Sequence, residues 1–246
     1  MSTKAKYRGG VLEYYDGASF ETVNPQAGVV LYDDFVGAGA VVVPAAGSAE
    51  SGVRWVKKIV GAAPPTVAGV ADASAGIMAC TLTATSEKQD AAIYCDDQRN
   101  FSLEQGCVFE ARVKLSVLPT GTAELVMGLL GDWIDGSDNA TYSAFFTADG
   151  SGELICEMDD NATDRSTTSG VTLTNAEWAV LRIDATDIHD VKFFVNGNRV
   201  AAGTTFDYAA TGANAVLQPF FQAYKASGTG VGTLQVDYVR VWQNRA

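Results

Sequence analysis

Val108-Phe-Glu-Ala-Arg-Val-Lys-Leu115 puts Phe109, Ala111, Val113 and Leu115 on one side of an extended chain and Glu110, Arg112 and Lys114 on the other. Successive side chains of a strand point to opposite faces, so this alternation predicts a strand buried on one face only. Trp178-Ala-Val-Leu-Arg-Ile-Asp184 repeats the pattern, and Thr233-Leu-Gln-Val-Asp-Tyr-Val-Arg-Val-Trp242 reads as the closing strand. Leu125-Val-Met-Gly-Leu-Leu130 differs, because it is apolar without a break. That run predicts a strand covered on both faces, hence a central one.

Working outward, further short β-rich segments appear at 29–35, 53–60, 76–84, 91–95, 141–146, 153–157, 191–195, 198–201 and 217–224. Asn196-Gly197 between two of them is the strongest short hairpin signal. The Ala/Gly/Pro-rich stretches near 37–48 and 61–75 read as loops. Helical periodicity is almost absent, and strands do not alternate with helices, which excludes a parallel α/β sheet. The expected fold is all-β, an antiparallel two-sheet β-sandwich spanning 29–246, preceded by an N-terminal arm over 1–28.

Within the arm, Val11 to Val23 reads as a hairpin around Asp16-Gly17, and Asn24-Pro25 ends it. A hairpin that short cannot bury its own faces. Tyr7, Arg8, Tyr14, Tyr15 and Phe20 are therefore the candidate partner-binding residues, anchoring the sandwich by strand addition or pocket filling; the alternative is that they complete the domain's own sheet.

The chain has 246 residues, 47% of them hydrophobic and 19% charged, with a formal net charge of −12. An acidic surface repels phosphate backbones and anionic lipid, so neither nucleic acid nor membrane is an expected partner. No apolar run reaches the ~20 residues that span a bilayer, and the basic opening lacks the apolar segment of a secretory signal, so a cytosolic folding site is expected. Cys80, Cys95, Cys107 and Cys156 form no C-x-x-C pair and read as small buried hydrophobes in a reduced chain, with a disulfide between strands as the alternative. His189, the sole histidine, lies in Asp187-Ile-His-Asp190, a surface turn. A Ser-His-Asp triad and a zinc site are therefore not expected, and no cofactor is.

The order of segments through Phe109-Glu-Ala-Arg-Val, Glu177-Trp-Ala-Val-Leu-Arg-Ile-Asp184, Val191-Lys-Phe-Phe-Val-Asn-Gly-Asn198 and Asp237-Tyr-Val-Arg-Val-Trp242 resembles the concanavalin A-like (laminin-G-like) jelly-roll sandwich of lectins, family-16 glucanases and many virion proteins. The resemblance covers roughly 30–246 and implies the fold rather than one activity. With the opening Tyr7-Arg-Gly-Gly-Val-Leu-Glu-Tyr-Tyr-Asp-Gly17, the whole chain also resembles structural proteins of tailed bacteriophages.

Family-16 glucanases carry paired carboxylates on one strand. The comparable run here, Glu124 to Asp132, separates its two by eight residues, about 26 Å along a strand, against the ~5–10 Å that paired carboxylates need. The loop Asp132-Trp-Ile-Asp-Gly-Ser-Asp138, with Asn139, offers Asp132, Trp133 and Asn139 as a possible sugar-binding group. This loop and Glu157-Met-Asp-Asp-Asn161 with Asp164 also carry carboxylates of the kind calcium takes, without EF-hand spacing, and read as a solvated acidic rim. The first expectation is a non-enzymatic capsid decoration subunit on the virion surface, assembled in the host cytoplasm. It would bind the major capsid protein and form a homo-oligomer such as a trimer. The alternative is a lectin-like module that binds a surface glycan for host attachment.

Overall fold

The computed structural model describes residues 3–8, 11–16, 29–36, 44–47, 55–73, 76–175 and 177–245, the first two segments by their backbone alone. In chain order the strands begin with β1 (Thr3–Arg8), β2 (Val11–Asp16), β3 (Val29–Asp33), β4 (Val56–Val60), β5 (Thr66–Gly69) and β6 (Met78–Thr81). Next come β7 (Gln89–Tyr94), β8 (Phe101–Ser102), β9 (Cys107–Val117), β10 (Ala123–Leu130), β11 (Ser143–Ala148) and β12 (Glu153–Asp159). The last are β13 (Asp164–Thr172), β14 (Ala179–Ala185), β15 (Lys192–Val195), β16 (Asn198–Val200), β17 (Val216–Lys225) and β18 (Thr233–Gln243).

The body is an antiparallel two-sheet sandwich. The first sheet runs β13-β12-β11-β10-β17-β7-β4, with β8 paired to β17; the second runs β16-β15-β14-β9-β18-β6-β5, with β3 paired to β18. The apolar run of β10 is indeed central, flanked by β11 and β17. Gly128 permits that close approach: a Cβ there would stand 2.5 Å from the Phe145 Cα. Asn196 and Gly197 adopt φ of 50° and 81°, the left-handed pair that a tight hairpin needs.

The inward faces meet in one core. Phe146 on β11 packs edge-on against Phe193 on β15 at 5.2 Å, and Phe109 on β9 meets Phe221 on β17 at 5.9 Å, so aromatic pairs bridge the sheets. All four cysteines are buried thiols, as their apolar settings predict. One buried group is a cation: Lys225 is fully enclosed, and its Nζ donates to the carbonyls of Thr83 (2.7 Å), Thr85 (2.7 Å) and Gly230 (3.1 Å).

Three readings change. The arm's hairpin is β1 with β2, registered from Thr3↔Asp16 to Arg8↔Val11. Gly9-Gly10, also a two-residue hairpin dipeptide, therefore separates the strands, and Asp16 is the last residue of the ladder rather than part of its turn. β5 falls inside the expected loop 61–75; of its four residues only Val67 is buried, too short a pattern to read. β13 was also missed, because Asp-Arg-Ser-Thr-Thr-Ser-Gly-Val-Thr is a polar edge strand with no apolar face.

Tyr7 and Arg8 stand on β1 and Tyr14 and Tyr15 on β2. Their side chains, and Phe20 altogether, lie outside the described residues.

Candidate functional site

The outward face of the first sheet is largely covered, which is unusual for an antiparallel sheet with a solvent side. Strands β7 and β11 are buried at every position. Val56, Ala92, Tyr94, Val126, Leu130, Phe145 and Phe220 form a second apolar cluster on that face, joined by Trp133, Ile134 and Ala140. Those last residues belong to the 131–142 loop between β10 and β11, which folds back over the sheet as a cap.

Its neck closes where the Gly131 N–H donates to the Tyr142 carbonyl at 2.8 Å. Fully buried Gln218 on β17 then ties three segments together. Its amide donates to the Gly131 carbonyl (2.6 Å) and to Asp97 Oδ1 (3.0 Å), while its oxygen accepts the Cys95 N–H (3.0 Å). Asp96 and Asp97 both have positive φ (53° and 58°), so the chain turns tightly after β7 and brings the Asp97 carboxylate to the Trp133 N–H at 2.7 Å.

Farther along the cap, the Trp133 indole N–H donates to Asp90 Oδ2 at 3.2 Å, and Lys58 Nζ lies 4.5 Å from the ring centroid. Lys88 pairs with Asp135. A 3₁₀ turn over Ser137–Asn139 brings the chain back to β11.

Beside the neck is a cavity of about 340 Å³ lined by Arg99, Asp132, Trp133, Tyr142 and Asn214, among others. Of the residues singled out from sequence, Asp132 and Trp133 line it, and Asp132 pairs with Arg99 at 3.3 Å. Asn139 is placed elsewhere: its amide turns back on its own loop, toward the carbonyls of Asp135 (3.3 Å) and Gly136 (3.4 Å). Arg99, Tyr142 and Asn214 were missed, since they come from three separate segments. The Asp96-Asp97 dipeptide, a turn former, was the one local signal pointing to the first.

Under the cap lie carboxyls that keep their protons near neutrality. Burial pushes Asp90 up to about 7 against the opposing pull of hydrogen bonds from Gln222 and Trp133. Asp90 Oδ1 and Gln222 Oε1 are both enclosed and unpartnered, although Gln222 Nε2 donates to Asp90 Oδ2 at 2.9 Å. Glu157 on β12 is likewise raised to about 7, by burial first, with the Thr147 hydroxyl bond at 2.5 Å pulling it down and Asp138 and Glu124 adding repulsion. Glu124 is raised by burial and by Asp138.

In the second acidic loop the Asp160 carboxylate is satisfied by backbone, accepting the N–H groups of Ala162, Thr163 and Ala209 at 2.8–2.9 Å. Among the described residues, no three His, Cys, Asp or Glu side chains converge as a metal site. Exposed His189 sits in its turn with Asp207 Oδ1 at 2.7 Å.

No family model and no curated protein matches the chain. Solved structures do. A protein described as of unknown function from Shewanella oneidensis has 11% identity and a TM-score of 0.60 over 89% of each chain. A β-1,3-glucanase from Mycobacterium marinum has 16% identity and a TM-score of 0.55, covering 89% of this chain and 99% of its own. The carbohydrate recognition domain of Emp46p, in a potassium-bound form, has 9% identity and a TM-score of 0.51, covering 78% and 90%. This is the concanavalin A-like jelly-roll sandwich.

At such identities the likeness speaks for the fold alone. Even so, it overturns the expectation that the chain is not an enzyme. That expectation rested on the missing carboxylate pair of one strand and on a lone histidine without a triad, yet the sandwich serves a glucanase as well as a recognition domain. Burial raises two carboxyls, Asp90 on β7 and Glu157 on β12, to about 7, and neither lines the cavity.

Proposed function

We propose that the cavity beside the capping loop binds a saccharide, with or without turning it over. The observation that carries this reading is the lining: Tyr142 and Trp133 stand beside the Arg99–Asp132 pair and Asn214, in about 340 Å³. Small-ligand sites combine concave apolar walls with a few fixed polar groups in this way. The anchoring of Trp133 by Asp97 and Asp90 supports it, because a held ring loses little freedom on binding. A recognition domain and a glucanase on the same fold make saccharides the ligand class to try first.

The test is titration with a panel of neutral oligosaccharides, followed by tryptophan fluorescence and calorimetry, with the same mixtures assayed for new reducing ends or transfer products. Tyr142→Ala should weaken the best ligand at least roughly tenfold, about 1.4 kcal/mol. A panel without any ligand, or undiminished binding by Tyr142→Ala, defeats the reading. Appearance of products makes Asp132→Asn, at the carboxylate that lines the cavity, the next variant, with loss of turnover at retained binding expected.

Nothing in the compared structures speaks for the capsid-decoration expectation, which would draw on the arm's side chains. It stands behind the saccharide reading.

A further inference from the structure

We propose that the outer face of the second sheet binds an acidic polysaccharide, through guanidinium groups held in place by aromatic side chains. This face is opposite the cavity, and the proposal stands or falls without the cavity reading. One row of paired residues crosses six strands: Arg199 (β16), Phe194 (β15), Arg182 (β14), Glu110 (β9), Arg240 (β18) and Tyr32 (β3). Their sequence neighbours Leu181, Ala111 and Val239 are fully buried, so the row faces out. At the usual strand spacing the row spans about 24 Å, with an arginine on every second strand, ~10 Å apart.

The rings hold these cations. Arg240 lies 4.3 Å from the Trp242 centroid, and Arg182 lies 5.8 Å from it and 5.6 Å from Phe194. One row over, Arg112 and Lys114 lie 4.7 and 4.8 Å from Trp178. A stacked guanidinium keeps its N–H edges for an anion while losing less freedom when it binds one. Acids on the face take part of this charge. Asp184 accepts from Arg182 at 2.5 Å, Asp237 from Arg112 at 2.6 Å, Asp190 from Arg199 at 3.1 Å, and Glu110 takes the Tyr238 hydroxyl at 3.2 Å. Arg240 and Lys114 have ring contacts and no ion pair among the described residues. On a chain of net charge −12, these five cations outnumber the four carboxylates beside them by one, and Arg240 and Lys114 are the two not bonded to an acid among the described residues.

Complementarity of charge and shape selects the occupant. The ring faces are occupied by cations, which leaves little for the base stacking that single-stranded nucleic acid uses. Dense phosphate would also meet the repulsion of the acidic body. An extended acidic glycan has carboxylates spread along a flat ribbon, with a sugar repeat close to the strand spacing, and arginine forks take carboxylates in bidentate fashion.

The experiment is affinity electrophoresis of the full chain through gels containing polygalacturonate, neutral dextran or single-stranded DNA, at low salt and at several-fold higher salt. Retardation by polygalacturonate, absent with dextran and fading with salt, is expected. The double variant Arg182→Gln/Arg240→Gln should weaken it at least roughly tenfold, with its melting temperature recorded to show a folded chain. Lys114→Gln, which removes a cation bonded to no carboxylate, should weaken it in the same direction. No retardation, retardation indifferent to all three substitutions, or DNA retarding as strongly as polygalacturonate overturns the proposal.

Discussion

The two sheets of this sandwich share an inner core and differ in what they do with their outer faces. On the first, β7 and β11 are buried throughout because a twelve-residue loop lies across them, and the polar groups it encloses, Asp90, Gln222 and Glu157, are raised in pKa or left partly unpartnered. On the second, β9 and β14 alternate cleanly, and the outer side chains are half-exposed cations stacked on rings. Burial of polar groups stores sensitivity to pH and mutation in the capped face, while solvent screens the open one.

The largest effect expected from that contrast is at Gln218. Gln218→Ala strips the partners from the Cys95 N–H and the Gly131 carbonyl inside the protein, and should cost about 2–3 kcal/mol in urea unfolding. A cost no greater than at the open face would mean that the cap is not a structural part of the sheet.

Next is the pH dependence of the capped face. Asp90 has its ordinary value of 3.8 in the unfolded chain and about 7 in the folded one, so the folded state binds the proton more tightly. Stability from this group is therefore full below about pH 4, declines as pH rises and levels off above about pH 7. The loss is on the order of a few kcal/mol at most, at ~1.4 kcal/mol per unit. Asp90→Asn should flatten this part of the profile and raise stability at pH 8, because an amide also supplies an N–H to the Gln222 oxygen. Melting profiles from pH 4 to 8 check it, and an unchanged slope contradicts the assignment. Glu157→Gln should act in the same sense.

The smallest effect is expected on the open face. Arg112→Ala removes a half-exposed ion pair and one ring contact, and should cost less than about 1 kcal/mol. A larger loss would place that face among the elements holding the fold together.

Local patterning made most of this fold readable. The alternation of Phe109 to Leu115 and the unbroken run Leu125 to Leu130 predict one half-covered strand and one central strand, and both are found. What covers β10 was not readable, because the cap's grip depends on Gln218, Asp97 and Asp90, which lie far apart in sequence. For the same reason Trp133 and Asp132 stood out as an aromatic beside acids, whereas Arg99, Tyr142 and Asn214 became neighbours only through tertiary packing. β13 and β5 escaped because an edge strand need not carry an apolar face.

Lys225 has a practical consequence. With its ammonium enclosed by three carbonyls, it should stay silent toward amine-reactive reagents while the surface lysines label readily. Modification of Lys225, followed by peptide mass spectrometry, would then count openings of the whole sandwich, giving the protein a built-in clock for its own unfolding.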